Sequence, residues 1–458
     1  MKFVQQEYSL GETIAAIATP PGEGGVAIIR ISGEESLAIA AKIFSGPVHT
    51  YPSHTAHFGY IRNTYGERVD EVLVLVMKGN RSYTGESTVE IHCHGGSLIT
   101  RRVLETVLAA GARAALPGEF TFRAFYNGKM DLAQAEAVQA LIGAKNEKAL
   151  DIAEQHLQGS LSKKITHFQK KLTHICAILE AWVDFPEEGL EFATIEEILD
   201  QLEKIQTEMK CLSSSFYNGK IIHEGISLAL IGRPNVGKSS LMNALLDKER
   251  AIVSATPGTT RDVLEDHIRL YGIHIKLSDT AGIREAIEEV EQEGIRRSKI
   301  ALEESDIILL VLDAHAGFTQ EDQELLASMP REKTIAVWNK IDLPHELLPS
   351  ISVRATVSLS AKKQQGIDKV HAAIQEALWT SGSLTKEEIV ITHIRHKEAL
   401  DNAIGAIEVV QNGLKQGTSP EFLTFDLRQS LQELGKIIGT DVTDDILSAI
   451  FSKFCIGK

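Results

Sequence analysis

The feature that most constrains the fold of this chain is a phosphate-loop motif at 232–239, Gly-Arg-Pro-Asn-Val-Gly-Lys-Ser. It directly follows the apolar run ISLALI and precedes the helix-forming run SSLMNALL, so a strand, a glycine-rich turn and a helix come in that order. In this arrangement backbone N–H groups wrap around phosphate oxygens, the lysine reaches the β- and γ-phosphates, and the serine hydroxyl binds Mg²⁺. The residues predicted to hold a nucleoside triphosphate here are Asn235, Val236, Gly237, Lys238, Ser239 and Ser240.

Three further motifs follow in the order expected of a guanine-nucleotide site. The Asp-Thr-Ala-Gly at 279–282 ends a strand, where the aspartate can hold the Mg²⁺ shell through water and the glycine N–H can meet the γ-phosphate. In the Asn-Lys-Ile-Asp at 339–342, the last carboxylate can accept hydrogen bonds from the guanine N1–H and exocyclic amine, which adenine cannot supply. Ser-Ala-Lys at 360–362 completes a purine pocket. The residues predicted to contact GTP in these motifs are Asp279, Thr280, Ala281, Gly282, Asn339, Lys340, Asp342, Ser360 and Ala361.

The rest of the chain predicts further domains, because 458 residues exceed the roughly 250–300 at which single cores stop growing. Short β-rich runs and two helical stretches predict an α+β domain over 1–127. Apolar residues at three- and four-residue spacing predict helical parts over 128–222 and 380–458. The predicted apolar seams include one from Leu161 to Trp182 and one at Leu427, Leu431, Leu434 and Ile438, and Thr194 with Glu197 predicts a capping box before a second long helix. Strands alternating with helices over 223–379 indicate a parallel sheet covered on both faces. The simplest fold class is multidomain: an α/β P-loop GTPase domain inserted into an all-helical domain and preceded by an α+β domain.

Charge and composition limit the partners of the chain. Lys and Arg number 47 against 62 Asp and Glu, and the net charge of −15 argues against coating RNA or an anionic membrane over the whole surface. Any RNA contact must therefore be local, or shared with a basic partner. Four scattered cysteines without a Cys-x-x-Cys pair, and no run of about 18 apolar residues, predict a cytoplasmic protein without a disulfide framework or a membrane span.

The group that positions the attacking water is not where many switch GTPases have it. Those proteins carry a glutamine directly after the Asp-x-x-Gly motif. Here that position is Ile283, which can neither orient nor polarise water. The sequence therefore predicts that hydrolysis is organised in another way.

Several stretches resemble a known family over essentially the full length. These are TPPGEGGVAIIRISG at 19–33, YTGESTVEIHCHGG at 83–96, LPGEFTFRAFYNGKMDLAQAEAV at 116–138 and the closing Phe-Cys-Ile-Gly-Lys at 454–458, together with the GTPase motifs. They closely resemble the MnmE (TrmE) family of tRNA modification GTPases. The resemblance implies a dimerising N-terminal domain that binds tetrahydrofolate, a discontinuous helical domain and a GTPase domain whose contact across the homodimer drives hydrolysis.

For the GTPase domain the resemblance implies activation by K⁺, which supplies the charge that an arginine finger gives elsewhere. It assigns K⁺ to Asn235, Ser254, Thr256 and Thr259, and Mg²⁺ to Ser239 and Thr260. Ser254 and Thr259 would also contact the nucleotide. Glu291 would orient the attacking water through a bridging water, although from the residues alone it is one of several acids in a solvated helical turn.

For the N-terminal domain the resemblance assigns folate to Arg30, Glu90 and Lys129 together with Lys458. The ligand would be 5-formyl- or methylene-tetrahydrofolate. The implied partner is the flavoprotein MnmG (GidA), which brings FAD and NADH, in a heterotetramer or larger complex. Together they would place an aminomethyl or carboxymethylaminomethyl group on C5 of the wobble uridine of certain tRNAs. The amine donor and the tRNA-binding face stay open.

Some residues have two interpretations. Cys455 is either a thiol that acts in, or tunes, the transfer chemistry or a small apolar residue that closes the seam of Ile450 and Phe454. The His-Cys-His at 92–94 could suggest a metal, but its side chains alternate between the two faces of a strand. The basic clusters at 163–171 and 393–397 are typical of solvated helix faces, though one of them could contact tRNA.

Two other functions remain to be distinguished from tRNA modification. A ribosome-assembly GTPase would use its helical part only as an effector surface, but such proteins usually carry a recognisable RNA module, and no G-x-x-G clamp of the KH type is found. A folate-sensing regulator would bind the cofactor without transferring a one-carbon unit.

Overall fold

The computed structural model describes Tyr8 and residues 10–184, 193–247, 265–270, 273–279, 305–378 and 389–458. These residues form two compact units. The first unit lies within Met1–Ile142, Glu154–Thr207 and Glu398–Lys458, and the second within Gly143–Ala153 and Glu208–Lys397. Over the described ranges, no helix is long and apolar enough to span a bilayer.

The N-terminal part of the first unit contains a six-stranded sheet in the order β3-β4-β5-β2-β1-β6. Its strands are β1 (Ile14–Ile17), β2 (Val26–Ser32), β3 (Thr55–Arg62), β4 (Arg68–Met77), β5 (Thr88–His94) and β6 (Arg113–Ala114). Helices α1 (Ser36–Ile43) and α2 (Ser97–Ala109) pack on one face of this sheet. Because side chains alternate along a strand, Ile29, Ile31, Val89 and Ile91 fill the core while their neighbours in the sequence occupy the other face. The predicted α+β region is confirmed.

Helices make up most of the remaining described residues. They are α3 (Glu119–Tyr126), α4 (Leu132–Gly143), α5 (Glu147–Leu157), α6 (Ser160–Asp184), α7 (Ile195–Ser214) and α8 (Phe216–Glu224), followed beyond the second sheet by α12 (Ile394–Gln416), α13 (Pro420–Ile438) and α14 (Asp444–Phe451). The predicted capping box before α7 is present: Thr194 N donates to Glu197 Oε2 at 2.9 Å, and Glu197 N donates to Thr194 Oγ1 at 3.2 Å.

In two helices, the residues that are buried can be compared with the apolar seams that the sequence predicts. In α6 the predicted seam is buried from Leu161 to Leu179, and its last residue, Trp182, is partly buried. In α13 the buried stripe instead includes Leu423, Leu427, Leu434 and Ile437, and Leu431 is only partly buried. The 3.6-residue period lets two adjacent stripes fit one apolar sequence, and tertiary packing selects between them.

The second unit contains a six-stranded sheet in the order β12-β11-β10-β7-β9-β8. Its strands are β7 (Ile226–Ile231), β8 (Glu265–Leu270), β9 (Ile273–Asp279), β10 (Ile307–Asp313), β11 (Thr334–Asn339) and β12 (Ala355–Ser358), with described helices α9 (Lys238–Asp247), α10 (Gln320–Ala327) and α11 (Ile367–Leu378). The parallel pattern is confirmed for five strands, whereas β8 pairs antiparallel with β9 at the edge. The carboxyl ends of the parallel strands lie at one edge of the sheet, and folds of this kind bind ligands at that edge.

Candidate functional site

The phosphate loop connects β7 to α9 with the geometry that its glycines require. Gly237 has a φ of +98°, and a Cβ there would lie 2.2 Å from Asn339 Nδ2. Asn235 adopts a φ of +62° although it has a side chain, so the loop is held in a left-handed turn at this position. Lys238 Nζ donates to the carbonyls of Gly232 and Arg233, each at 2.9 Å. These bonds hold the ammonium group at the loop.

Asn339 joins the base-binding motif to the phosphate loop. Its side chain is 3% exposed, so its polar atoms need partners inside the protein. Nδ2 donates to the carbonyl of Val236 at 2.9 Å, and Oδ1 accepts from the N–H groups of Lys340 at 2.8 Å and Ala361 at 3.0 Å. Three motifs that are far apart in the sequence are thereby fixed by a single amide.

Lys340 makes a second link between the same motifs. Its Nζ donates to the carbonyl of Asn235 and to Asp313 Oδ2, both at 2.7 Å. Burial opposes ionisation of Asp313, but hydrogen bonds from Lys340 and from the N–H groups of His315 and Ala316 outweigh it and lower the pKa of the carboxyl. Sequence reasoning missed Asp313; the available signal was an acid at the end of the apolar strand IILLVLD.

Asp342 lies beside Ser360 of the Ser-Ala-Lys motif. A hydrogen bond from Ser360 is the largest cause that lowers the pKa of this carboxyl, so it is ionised at neutral pH. Lys363 Nζ lies 3.9 Å from Asp342 Oδ2. An ionised carboxylate accepts hydrogen bonds and donates none, which is the property required to select guanine.

Part of the predicted GTPase site lies outside the described residues. This holds for Ser254, Thr256, Thr259, Thr260, Thr280, Ala281, Gly282, Ile283 and Glu291, and only the backbone of Asp279 is described. Ser239 and Ser240 are placed in the first turn of α9, where both are exposed. The loop and base motifs are therefore joined by hydrogen bonds, while their contacts with GTP and the two segments that would close over the γ-phosphate stay predictions.

A second candidate site lies in the first unit, on the sheet face opposite α1 and α2. Arg30 and Glu90 are cross-strand partners on β2 and β5, and Arg30 Nε donates to Glu90 Oε1 at 2.8 Å. Their side chains are 16% and 13% exposed. The Arg30 guanidinium also lies 5.5 Å and 5.7 Å from the ring centroids of Tyr83 and Phe120. The result is a half-buried charged pair beside aromatic rings.

The C-terminal segment returns to this pair. Gly457 has a φ of +95°, and a Cβ there would lie 2.1 Å from the carbonyl oxygen of Ile17. Burial, and secondarily Arg30, lower the pKa of Lys458, while Glu90 and Cys455 oppose this shift. The structure thus brings Arg30, Glu90, Cys455 and Lys458 together.

Cys455 and Lys129 differ from the other predicted residues of this site. Cys455 is exposed, so its interpretation as an apolar residue closing a seam is wrong, although Phe454 is buried as that interpretation required. Lys129 Nζ donates to the carbonyl of Asn80 at 3.0 Å and packs against Gly85. Lys129 therefore borders the turn at 80–85.

A buried ionic network holds this turn, and sequence reasoning missed it. Glu119 is fully buried and accepts from Arg113 at 2.5 Å and from Arg123 at 3.1 Å. Arg123 in turn donates to Glu86 Oε2 at 3.0 Å, and Ser32 Oγ donates to the same atom at 2.8 Å. The four-residue spacing of Glu119 and Arg123 in α3 was the available signal.

The side chains of the His-Cys-His segment of β5 do not converge. Cys93 faces the core, where burial raises its pKa to about 11, and His94 pairs with Asp70 at 2.7 Å. Among the described residues there is no group of three or more His, Cys, Asp or Glu side chains able to hold a metal ion.

A glycine-rich loop between a parallel strand and a helix, tied to an Asn-Lys-x-Asp motif at the same sheet edge, defines the class of P-loop GTPases. The family profile described as "GTP-binding protein TrmE N-terminus" matches residues 13–129, and that described as "MnmE helical domain" matches residues 132–455. The chain belongs to the MnmE family of tRNA modification GTPases.

Two relatives agree with this assignment. The tRNA modification GTPase MnmE of Protochlamydia amoebophila (strain UWE25) is 68% identical over 458 residues, covering 100% of both chains. MnmE of Moorella thermoacetica is 45% identical over 463 residues, covering 98% of this chain and 100% of the relative. Among solved structures, Era of Aquifex aeolicus matches 40% of this chain and 66% of its own at 28% identity, with a TM-score of 0.26.

Proposed function

We propose that this chain is a K⁺-dependent GTPase that, with the flavoprotein MnmG (GidA), installs an aminomethyl or carboxymethylaminomethyl group on C5 of the wobble uridine of certain tRNAs. The observation that carries the GTPase part is the double link from the Asn-Lys-x-Asp motif to the phosphate loop, through Asn339 and Lys340. The tRNA part is supported by membership of the MnmE family over the full length. The proposed arrangement is a GTPase domain at 223–379 inserted between helical parts at 128–222 and 380–458, after an N-terminal domain at 1–127.

Different residues of the second unit bind different parts of GTP. Asp342 accepts from the guanine edge, Lys238 meets the β- and γ-phosphates, and the loop N–H groups around Gly237 surround them. Mg²⁺ would be held by Ser239 and Thr260, with Asp279 reaching it through water. Ser239 fits this role because it opens α9 directly after the loop lysine and is exposed.

Asn235 is suited to the additional cation. Its side chain is exposed, and its carbonyl is fixed by Lys340 at 2.7 Å, so the loop residue is pre-oriented rather than mobile. K⁺ would be completed by Ser254, Thr256 and Thr259, and when bound it supplies positive charge beside the β- and γ-phosphates. Glu291 would then position the water in place of the absent glutamine.

The first unit would hold tetrahydrofolate, as its 5-formyl or methylene form, near Arg30 and Glu90. A carboxylate such as Glu90 can pair with the N–H edge of a pterin, and the cationic groups of Arg30, Lys129 and Lys458 suit the negatively charged parts of the ligand. The site fits this ligand because Lys458 is kept partly desolvated next to a half-buried ion pair and two aromatic rings. Cys455 is exposed at the same place and would act in the transfer chemistry or tune it.

The proposed assembly is a homodimer joined to MnmG in a heterotetramer or larger complex in the cytoplasm, with FAD and NADH on the partner. Incubation of the chain with MnmG, tRNA, GTP, folate, FAD, NADH and an amine donor (ammonium or glycine), in a buffer that contains K⁺ and Mg²⁺, followed by mass analysis of the tRNA nucleosides, tests it. Modified uridine should form only when every component is present. Unchanged uridine in the complete mixture would exclude the proposed reaction, and intact C5 modification in a deletion strain would favour the ribosome-assembly alternative.

The cation mechanism has its own test. GTP turnover is measured in KCl and in NaCl at equal ionic strength, for the wild type and for Asn235→Ala. We expect fast turnover only for the wild type in K⁺. Equal rates in both salts would exclude K⁺ activation while leaving GTP binding untouched.

A further inference from the structure

The outer face of α6 carries a row of basic side chains. Lys163, His167, Lys170 and His174 are all exposed and are spaced by four, three and four residues, which places them on one side of the helix. No Asp or Glu occurs between Ser160 and Leu179. At a rise of about 1.5 Å per residue the row is about 16 Å long. It is therefore long enough to meet more than one phosphate of a nucleic-acid strand.

Among the residues that the structure describes, none neutralises the two lysines of this row, so both can contact a partner. Neither Lys163 nor Lys170 takes part in an ion pair with any described residue. The basic cluster at 393–397 differs, because His393, Arg395, His396 and Lys397 each have a partner inside the protein and His396 is only 1% exposed. Of the two clusters, the α6 face is the one that presents uncompensated charge.

A groove of mixed polar and apolar lining lies beside the row. It has a volume of about 410 Å³ and lies between α6 and α13, lined by Gln169, Thr173, Arg428, Leu431, Gln432 and Asp441. Arg428 also pairs with Glu180 at 2.7 Å, so this α6 carboxylate is neutralised. Amide and hydroxyl groups next to a row of cations are the combination that RNA-binding surfaces use, with cations on phosphates and neutral donors on ribose and bases.

We propose that the outer face of α6 binds the phosphate backbone of the tRNA, with Lys163 and Lys170 as the main phosphate contacts and the groove receiving an adjacent ribose or base. A chain with a net charge of −15 needs a local basic surface for such a contact, and this face supplies one. The inference rests on the proposed function in one respect, that tRNA is the substrate.

The test compares two double variants of the full chain. Lys163→Gln with Lys170→Gln removes two charges from the face, and Lys369→Gln with Lys415→Gln removes two exposed charges from other helices as the matched control. Binding of an unmodified tRNA transcript with uridine at the wobble position is followed by fluorescence anisotropy over a series of NaCl concentrations. Intrinsic GTP turnover of each variant is measured in parallel.

We expect the α6 variant to raise the Kd about tenfold and to reduce the slope of log Kd against log salt by about 2, one per lost phosphate contact. The control should match the wild type, GTP turnover should not change, and Lys163→Arg with Lys170→Arg should retain binding. An unchanged Kd and slope in the α6 variant overturns the proposal while leaving the proposed function standing. Loss of MnmG binding by the α6 variant with retained tRNA binding also overturns the proposal. Failure of the wild type to bind tRNA counts against both the proposal and the proposed function.

Discussion

At the scale of single residues, the second unit depends on two side chains that each serve two motifs. Asn339 satisfies all its polar atoms with backbone groups of the phosphate loop and of the segment after β12. Lys340 shares its ammonium group between Asp313 and the carbonyl of Asn235. Because Asn235 is also the proposed K⁺ ligand, a change at Asp313 reaches the phosphate loop through one lysine.

Asp313→Asn is expected to weaken GTP binding about tenfold, or ~1.4 kcal/mol, because a partly buried lysine loses its charged partner. The Kd is measured by titration with a fluorescent GTP analogue. Asp306→Asn is the control, since Asp306 lies at the opposite end of the same strand and accepts from Ser227 N at 2.9 Å. Equal Kd values for the two variants would show that Asp313 does not position the site.

The four cysteines are expected to separate into two classes on reaction with iodoacetamide at pH 8. Cys211 and Cys455 are exposed and should be alkylated quickly. Cys93 and Cys176 are buried, and burial raises the pKa of both, to about 11 for Cys93, so the reactive thiolate is scarce. Mass spectrometry of timed samples checks this, and rapid labelling of Cys93 would contradict the described core.

The motif residues could be predicted from the sequence because their chemistry depends on local backbone geometry. A glycine-rich loop binds phosphate through its own N–H groups, and the spacing of its residues is enough to identify it. Asp313 could not be assigned in this way, because its partner is set by the register of β10 against β11, where Asp313 lies beside Asn339. Glu119 was missed for a similar reason: it meets Arg113 from another element.

At the scale of elements, the segment after α14 completes the Arg30 site through one close backbone approach. A Cβ at position 457 would lie 2.1 Å from the carbonyl oxygen of Ile17. The backbone can therefore come this close only because Gly457 has no side chain. Most strands and most helices were predicted correctly from their periodicity. The antiparallel edge strand β8 and the stripe of α13 were not, because neighbours rather than propensity decide them.

Gly457→Ala should displace this segment and weaken folate binding by about tenfold or more, since strain at positive φ of ~1–2 kcal/mol is added to a clash with backbone. Gly417→Ala is the matched control: its φ is +72°, and a Cβ there meets nothing within 4 Å. Folate binding is measured by isothermal titration calorimetry, with thermal unfolding in parallel. Equal effects of the two variants would show that the contact with Ile17 is dispensable.

At the scale of the whole molecule, the two candidate sites draw on different compact units. The GTP site uses residues of the unit within Gly143–Ala153 and Glu208–Lys397, and the Arg30 site uses residues of the other unit. Within the described residues, the side chains named for one site are different from those named for the other.

The effects of Asp313→Asn and Gly457→Ala on the binding free energies should accordingly be additive when each ligand is titrated in the absence of the other. Asp313→Asn should change GTP affinity but not folate affinity, Gly457→Ala should do the reverse, and the double variant should show each loss unchanged within about 0.5 kcal/mol. Isothermal titration of all four proteins with each ligand measures this cycle. A larger interaction energy would reveal communication already present in the chain alone.

The return of the segment around Gly457 to Ile17 also sets an order of events during synthesis. The phosphate loop forms from neighbouring residues and can assemble as soon as its own unit has left the ribosome. The Arg30 site joins residues about 440 positions apart, so no nascent chain can carry it in finished form. A newly made molecule would gain its nucleotide switch first and its cofactor pocket last.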